Sequence, residues 1–301
     1  MQKKLTISVG IPALNEEANI KKLLESILDQ KEDNYTLKEI IVISDGSTDN
    51  TVKNAKTLSD SKIKIISYRT RNGKACRLNE IFLISNNDLL LLVDADCALD
   101  KNAIKTLVTC YINTRSDLIA GNPKPREIKT FMQKTLLPSL IVMDNIKLKF
   151  DRGNNVYGFN GRLLLLSKKI YKSIKIPNMS GDDAYIYFYA KDRGYDTFYE
   201  EAAMVYYYLP KTLQDHLKQS KRFVETQYLM ERYFGKNIRS EYLIPKKIIV
   251  IEIFRVFIKY PIYLFIYLCV QTFIRFAGRD KSYSNSVWEI SSTTKKNEKK
   301  C

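Results

Sequence analysis

LLLLVDADCALD, the stretch from Leu89 to Asp100, changes abruptly from apolar residues to carboxylates. A short apolar run of this kind is typical of a strand that is buried on both faces of a sheet. Asp94 and Asp96 follow directly, and they would share one face if the extended backbone continued. Two such carboxylates repel each other unless a cation lies between them, and oxygen ligands suit Mg²⁺ or Mn²⁺. The stretch predicts either a metal site at the end of a buried strand or a strand that ends in a polar turn.

Strand and helix patterns alternate through the first 125 residues, on both sides of this stretch. In the first helical segment, apolar residues recur at the spacing of a stripe on one helix face: Ile20, Leu23, Leu24, Ile27 and Leu28. Strand patterns alternate with three helical segments in the order LTISVGI, ANIKKLLESILDQ, KEIIVISD, TDNTVKNAKTL, KIKIISY, GKACRLNEIFLIS and DLLLLVDAD. This alternation predicts an α/β fold with a mostly parallel sheet and helices on both faces.

Each predicted strand of this half is followed by a polar segment. The four segments are PALNEE, SDGSTDNT, RTRNGK and DADC. Ligands of open α/β sheets bind at the carboxyl ends of the strands. The coincidence predicts one ligand site that all four segments line.

Two of these segments contain residues suited to a nucleotide. Asp45 follows an apolar strand pattern, where its carboxylate can accept hydrogen bonds from a base while Gly46 allows a tight turn. Lys74 follows Gly73 where a helix begins, which suits a diphosphate. The alternatives are an Asp-Gly turn that caps the next helix and a surface lysine.

The second half contributes another carboxylate pair and a polar helix face. In SGDDAY, Asp182 and Asp183 could provide a general base and its neighbour, or they could simply begin a helix. In QSKRF, Gln219, Arg222 and Phe223 share one helix face, which could line a sugar-phosphate site or face solvent. We interpret His216, the one histidine, as a helix-surface residue.

The net charge of +16 over 301 residues favours an anionic partner. The chain has no nucleic-acid-binding motif, so we expect a phosphate-bearing substrate or anionic lipid and no nucleic acid. Its five cysteines form no CxxC pair and suit reduced cytosolic thiols. The apolar run at the N-terminus is too short for a signal peptide, which predicts a cytoplasmic location for the catalytic part.

The apolar stretch at 248–274 is long enough to span a bilayer but contains Glu252, Arg255 and Lys259. These charges would share one helix face, with Val250, Ile253, Phe254 and Phe257 pointing away. We expect helices in the membrane interface or a shallow hairpin; a single span or a soluble pair of core helices are the alternatives. The predicted organisation is a catalytic domain at 1–245, a membrane-associated helical segment at 246–278 and a disordered basic tail at 279–301.

Taken together, these motifs resemble glycosyltransferase family 2, the inverting enzymes with a GT-A fold. The resemblance covers about residues 5–235 and rests on PALNEE, DGSTDNT, NGKACRLN, DAD, GFNGRLLLLSK, GDD and QSKRF. It implies a Rossmann-like nucleotide-diphospho-sugar transferase fold, with a nucleotide-binding half at 1–125 and an acceptor-side half at 126–245. Two departures are Phe223, where the family has tryptophan, and Arg77, where a small residue is common.

The resemblance also implies a role for each matching residue. Asp183 would be the catalytic base, Phe223 would border the acceptor, and Asp94 and Asp96 would bind a divalent metal ion, Mn²⁺ or Mg²⁺. The nucleotide-sugar would be bound by Pro12, Leu14, Glu16, Asp45, Lys74, Asp94, Asp182, Gln219 and Arg222.

The resulting expectation is a metal-dependent inverting transferase at the cytoplasmic face of a membrane. It would move a sugar from a nucleotide-diphospho-sugar, with UDP as the expected nucleotide, to a glycan or lipid-linked acceptor in polysaccharide or glycoconjugate synthesis. Two alternatives are a non-catalytic nucleotide- or lipid-binding partner subunit of the same fold and a nucleotidyltransferase. The first should lack a base or a metal ligand. The second should have a basic glycine-rich loop after its first strand, where this chain has the acidic PALNEE.

Overall fold

A computed structural model describes residues 4–277. Its strands form one eight-stranded sheet that continues through both halves of the predicted catalytic domain at 1–245. The strands are β1 (Leu5–Ala13), β2 (Tyr35–Asp45), β3 (Ile63–Tyr68), β4 (Leu89–Val93), β5 (Cys97–Leu99), β6 (Leu118–Arg126), β7 (Leu163–Ser167) and β8 (Thr197–Tyr208).

Helices cover both faces of this sheet. They are α1 (Ile20–Leu28), α2 (Thr51–Lys56), α3 (Lys74–Ile84), α4 (Ala103–Thr114), α5 (Phe131–Lys149), α6 (Lys168–Ser173), α7 (Asp182–Asp192), α8 (Leu213–Phe234), α9 (Lys246–Lys259) and α10 (Pro261–Ala277). Short 3₁₀ helices lie at Asp151–Gly153 and Lys236–Tyr242. The three helices predicted in the first half correspond to α1, α2 and α3.

The order of the strands creates a crevice at the centre of the sheet. The order is β3-β2-β1-β4-β7-β6-β8-β5, and the first four strands are parallel. The chain leaves β1 toward β2 and β3 on one side and returns as β4 on the other. Neighbouring connections therefore diverge beyond the carboxyl ends of β1 and β4, which is where open α/β sheets bind ligands.

The second half departs from a parallel sheet. β7 runs antiparallel to β4 and β6, and β5 runs antiparallel to β8. β4 and β7 are both fully buried runs of mainly leucine. Such a pattern specifies burial on both faces but does not specify the direction of the strand. The prediction of a mostly parallel sheet is therefore confirmed, but the reversed directions of β5 and β7 were not predicted.

Two apolar layers fill the space between the sheet and its helices. One contains α1, α4 and alternate residues of the central strands, and the other contains α3, α6 and α7 with the intervening residues. A smaller third cluster joins α5 to α9 through Val142, Ile146 and Val256.

Helix α9 packs with a different face from the one predicted. Glu252 is fully buried against α5 instead of pointing to the outside with Arg255 and Lys259. It accepts hydrogen bonds from Asn145 and from Lys149, and it pairs with Arg255 at 3.0 Å. Ile253 packs against the same cluster, so the prediction that it faces away from the charges is wrong.

Neither α9 nor α10, nor any other helix within residues 4–277, is long and apolar enough to cross a bilayer. Residue 278 and the predicted tail at 279–301 lie outside the described residues.

Candidate active site

The end of β1 and the loop after it form one wall of the central crevice. Pro12 and Leu14 are half-buried there, and Glu16 is buried. The Glu16 backbone N–H donates to Thr51 Oγ1 at 2.6 Å, and its carboxylate accepts from Asn19 Nδ2 at 2.8 Å. Glu16 thus ties this loop to the starts of α1 and α2.

Asp45, at the end of β2, holds the loop that leads from β3 to α3. Its two carboxylate oxygens accept hydrogen bonds from the backbone N–H groups of Asn72 and Gly73, each at 2.8 Å. Arg77 Nε donates to the same carboxylate at 2.7 Å. Asp45 is only 4% exposed, so its described contacts organise the loop from beneath.

Arg77 explains the sequence departure at its position. Its side chain is completely buried, and its other two nitrogens donate to Glu80 at 2.6 Å and to the carbonyl of Thr70 at 3.1 Å. The guanidinium also stacks on the Tyr68 ring at 3.8 Å. A small residue could not make these contacts, and Arg77 therefore fixes both ends of the 69–73 loop.

Lys74 joins the two halves of the chain at the centre of the site. It is the first residue of α3, after Gly73, whose φ of 94° favours glycine. Its Nζ lies 2.7 Å from Asp94 Oδ1 and 2.9 Å from Asp182 Oδ2. The lysine thus connects the end of β4 to the start of α7.

The charges of this cluster perturb one another because the cluster is buried. Burial by itself would lower the pKa of Lys74, but the carboxylates of Asp182, Asp94 and Asp183 raise it above its usual value. Burial raises the pKa of Asp182 to about 6, with Lys74 opposing the shift and Asp183 adding to it. Lys74 therefore stays charged, whereas Asp182 holds its proton more tightly than an ordinary aspartate.

Asp183 lies beside this cluster and is more accessible than Asp182. Its carboxylate accepts hydrogen bonds from the backbone N–H of Gly161 at 3.1 Å and of Ala184 at 2.8 Å. A side chain at Gly161 would begin 3.2 Å from Lys74 Nζ and 3.5 Å from Asp183 Cβ. Glycine at this position keeps the space between the lysine and the carboxylate open.

Asp94 and Asp96 lie in a turn and not on one strand face. β4 ends at Val93, and the backbone N–H of Cys97 donates to the carbonyl of Asp94 at 3.2 Å. The extended geometry on which the shared face depended therefore stops before Asp94. Asp94 pairs with Lys74, and Asp96 contacts Cys97 Sγ at 3.5 Å.

The metal expected at these two aspartates would find hard oxygen donors, which suit Mg²⁺ or Mn²⁺. Within residues 4–277, however, no group of three or more His, Cys, Asp or Glu side chains is placed to hold a metal ion. Two carboxylates are too few for the six-coordinate shell of Mg²⁺. They fit the ion as part of a ligand set that a phosphate-bearing ligand and water would complete.

Helix α8 carries the three residues predicted from QSKRF. The side chains of Gln219 and Arg222 lie outside what the structure describes, so their predicted contacts stay predictions. Phe223 is 56% exposed and lies 6.3 Å from the Tyr157 ring in a stacked orientation. His216 is half-buried rather than on the surface, because Gln271 of α10 approaches its Nε2 at 3.2 Å.

The described site also contains Arg162, which sequence reasoning did not select. It follows Gly161 and precedes the run LLLL of β7. Its guanidinium lies 3.9 Å from the centre of the Tyr207 ring. The available signal was a charged residue directly before a buried strand and directly after a glycine of the GFNGR segment.

Comparison with known proteins agrees with this arrangement of the fold. Residues 8–175, more than half of the chain, match the family model for glycosyl transferase family 2. The poly-beta-1,6-N-acetyl-D-glucosamine synthase of Staphylococcus epidermidis is 25% identical over 246 residues. That alignment covers 79% of this chain but only 58% of the synthase, so this chain matches little more than half of that relative.

Solved structures of similar fold include two transferases with bound ligands. The mannosyltransferase PcManGT of Pyrobaculum calidifontis, in complex with GDP-Man and Mn²⁺, has a TM-score of 0.59 at 19% identity, over 92% of this chain and 77% of that one. The glucosyl-3-phosphoglycerate synthase of Mycobacterium tuberculosis, in complex with Mn²⁺, UDP and phosphoglyceric acid, has a TM-score of 0.53 at 22% identity. That match covers 76% of this chain and 78% of the synthase.

Proposed function

Because this chain belongs to glycosyl transferase family 2, we propose that it moves a sugar from a nucleotide-diphospho-sugar to a hydroxyl group of an acceptor, with inversion at the anomeric carbon. The observation that supports this most is the cluster of Lys74, Asp94 and Asp182 beside Asp183. It brings a cation, a candidate metal ligand and a candidate base together at the crevice beyond β1 and β4. A transfer reaction that releases a diphosphate can use all three: the cation and the metal ion stabilise the leaving group, and the base accepts the proton of the acceptor hydroxyl.

The donor diphosphate would lie against Lys74 and the first turn of α3. The lysine supplies a positive charge, and free backbone N–H groups at a helix N-terminus attract anions. The loop at Pro12, Leu14 and Glu16, with Asp45, would surround the nucleoside. Gln219 and Arg222 of α8 would cover the diphosphate from the other side.

A divalent ion, Mn²⁺ or Mg²⁺, would neutralise the leaving diphosphate when bound. We propose Asp96 as its main protein ligand, with Asp94 shared between the ion and Lys74. This division follows from the contacts, because Asp94 Oδ1 already pairs with Lys74 at 2.7 Å while Asp96 contacts only a weak thiol donor among its described partners. Tight metal binding should then require the nucleotide.

Asp183 would remove the proton from the acceptor hydroxyl. Hydrogen bonds from Gly161 and Ala184 fix the orientation of its carboxylate. Asp182 is less suited to this role because it is buried and paired with Lys74. Phe223, exposed beside Tyr157, would border the acceptor.

We propose a UDP-sugar as donor and a glycan or lipid-linked sugar as acceptor. Support comes from UDP in the bound form of the glucosyl-3-phosphoglycerate synthase and from the polysaccharide product named for the staphylococcal relative. The GDP-Man of the mannosyltransferase makes GDP the nucleotide to compare. Thermal stabilisation and donor hydrolysis across a panel of UDP- and GDP-sugars would identify the donor.

The test of the catalytic assignment is Asp183→Asn. General-base loss should lower transfer or donor hydrolysis by about two to four orders of magnitude, while UDP binding stays near wild type. Asp192→Asn at the exposed end of the same helix is the matched control and should leave both unchanged. An Asp183→Asn enzyme that turns over at nearly the wild-type rate would show that another group is the base.

We further propose that the catalytic unit comprises residues 1–245, with its nucleotide-binding half at 1–125, and that the 246–278 segment attaches it to the cytoplasmic face of a membrane. Support comes from the outer surface of α9 and α10, which exposes large apolar side chains: Val250, Phe254, Phe257, Ile258, Ile262 and Phe265. Exposed Lys246, Lys247, Arg255 and Lys259 accompany them. Apolar side chains with basic neighbours suit an anionic membrane interface.

A further inference from the structure

Arg162 lies at the junction of the two carboxylate groups of the site. Its carbonyl accepts a hydrogen bond from the Asp94 backbone N–H at 3.4 Å. The preceding residue, Gly161, donates its N–H to Asp183. The backbone of this short segment therefore contacts both the candidate metal ligand and the candidate base.

The guanidinium of Arg162 extends toward the Asp94–Asp96 turn. It stacks on Tyr207, whose Cα is paired with that of Cys97 in the β5–β8 ladder. Cys97 in turn directly follows Asp96 and contacts its carboxylate. Burial by itself would lower the pKa of Arg162, but Tyr207, Cys97, Asp96 and Asp94 raise it, so the group is a permanent cation.

The donors of this cation are not used by the described part of the protein. Arg162 Nε is buried without a hydrogen-bond partner there. No described residue forms an ion pair with the guanidinium, in contrast to Arg77, whose three nitrogens all donate within the chain. A buried charged donor without a partner is costly, and in a native protein it calls for an explanation such as a ligand.

We propose that Arg162 binds a phosphate oxygen in the transfer site. This inference rests on the proposed function and adds a residue to it. The planar fork of a guanidinium matches two phosphate oxygens at once, and stacking on Tyr207 holds the fork in a fixed orientation. Lys74 differs in that its ammonium already pairs with two carboxylates, Asp94 and Asp182.

The phosphate could belong to the donor diphosphate or to the acceptor. Both would lie near Asp94 and Asp183, which the Arg162 segment contacts. The chemistry at Arg162 is the same in either case, so the two sources are separated by experiment. A third possibility is that Arg162 only balances the charge of Asp96, and that outcome would overturn the proposal.

The first arm measures the binding of UDP and of uridine by calorimetry in EDTA, so that no metal contributes. For Arg162→Met, a donor contact should weaken UDP binding by roughly ten- to a hundredfold, the effect of losing a hydrogen bond to a charged group. Uridine, which has no phosphate, should bind as to wild type. Arg162→Lys keeps the charge without the planar fork, so its affinity for UDP should lie between those of wild type and Arg162→Met. This variant also provides the test if Arg162→Met does not fold.

The matched control is Arg193→Met. Arg193 also stacks on a tyrosine, at 5.4 Å from the Tyr189 ring, but it lies at the other end of α7. This variant should bind UDP and uridine like wild type. It shows that the loss of an arginine–tyrosine contact alone does not weaken the site. GDP replaces UDP if the wild-type protein binds only GDP.

The second arm titrates inorganic phosphate into protein that is saturated with the nucleotide. If the acceptor supplies the phosphate, Arg162→Met should bind the nucleotide normally but lose phosphate binding. Equal binding of both ligands by wild type and Arg162→Met would overturn the inference. A wild-type protein that binds neither UDP nor GDP, in EDTA or with Mn²⁺ present, would contradict the proposed function instead, so the two failures are distinguishable.

Discussion

Four of the carboxylates near the crevice differ in what compensates their charge. Asp45 accepts from two backbone N–H groups and Arg77, whereas Asp94 and Asp182 share Lys74. Asp183 accepts only backbone N–H groups among its described partners. Because their partners differ, Asp45 supports a loop, Asp94 and Asp182 hold the lysine between them, and Asp183 is left as an oriented carboxylate that can act as a base.

Most of these residues could be selected from the sequence because each stands in a short motif after a strand. Their pairings could not, because the partner of Lys74 in α7 is more than a hundred residues away along the chain. Arg77 was noted only as a departure from the family, and Arg162 was not selected, for a related reason. An arginine is ordinarily a surface residue, and only the packing of distant segments buries Arg77 completely and Arg162 in part.

Asp182 should reduce the stability of the protein at neutral pH. Because its folded pKa is about 6 and its usual value is 3.8, the folded state holds its proton more tightly than the unfolded state. Stability should therefore fall as the pH rises through this interval. Asp182→Asn removes the cost of burying a charged carboxylate but keeps an oxygen that accepts from Lys74. It should therefore stabilise the protein by roughly 1–3 kcal/mol at pH 8.

Thermal unfolding of wild type and Asp182→Asn between pH 4 and pH 8 measures this effect. The difference in Tm should be largest at high pH and shrink as the wild-type carboxyl becomes protonated. Asp192→Asn, on the exposed end of α7, is the control and should follow wild type throughout. If Asp182→Asn is less stable than wild type at pH 8, the ion pair with Lys74 outweighs the cost of burial.

At the scale of elements, helix starts and ends determine where the polar residues lie. α3 begins at Lys74 and α7 begins at Asp182, so both helices direct their first turns at the same cluster. The sequence predicted both helices from their patterns. It did not predict that α9 would bury Glu252, because a helix with apolar residues on two faces does not reveal which face meets the protein.

The contact of α9 with α5 should depend on Glu252. Its carboxylate is fully buried and bonded to Asn145, Lys149 and Arg255. Glu252→Ala leaves the amide and both cations without this partner and should lower the free energy of unfolding by about 1–3 kcal/mol. Glu252→Gln keeps a hydrogen-bonding group and should cost less. Urea unfolding monitored by circular dichroism measures both.

The control for this helix contact is Glu25→Ala, which breaks an exposed pair with Lys21 and should change stability little. The pH dependence offers a second check. Burial would raise the pKa of Glu252, but Lys149 and Asn145 hold it below its usual 4.5. Its contribution should therefore be present above pH 4.5 and disappear as the pH falls below it. Equal stability of wild type and Glu252→Ala at pH 7 would contradict the assignment.

On the scale of the whole molecule, the sequence predicted the parallel half of the sheet and the edge at which the candidate site residues of this half lie. Strand patterns with helical crossovers specify direction, because a short turn cannot connect parallel neighbours. From β5 onward the strands pair with distant segments, such as β5 with β8, and the sequence contains no local signal for these partners. The position of α9 and α10 over α5 follows from the same long-range packing.

The outer surface of α9 and α10 provides the test of membrane attachment. Deletion of both helices would uncover Val142 and Ile146 of α5, so substitutions on the exposed face are the cleaner change. Phe254 and Ile258 are 64% and 68% exposed. Replacing both by serine should weaken binding to phosphatidylglycerol-containing vesicles more than tenfold, because each large apolar side chain contributes roughly 1.5–3 kcal/mol when it leaves water. High salt should weaken wild-type binding less than these substitutions do.

Vesicle sedimentation of the full chain measures this binding, with pure phosphatidylcholine vesicles to separate the apolar from the charge contribution. The matched control replaces Leu83 and Ile84, which are 78% and 45% exposed at the end of α3, by serine. That variant should sediment with vesicles like wild type, because these residues lie on α3, outside the proposed membrane-attaching segment. Size-exclusion chromatography completes the experiment by measuring the oligomeric state. If wild type is a dimer that does not bind vesicles, and the Phe254 and Ile258 substitutions dissociate it, then a second copy of the chain covers this face in place of a membrane.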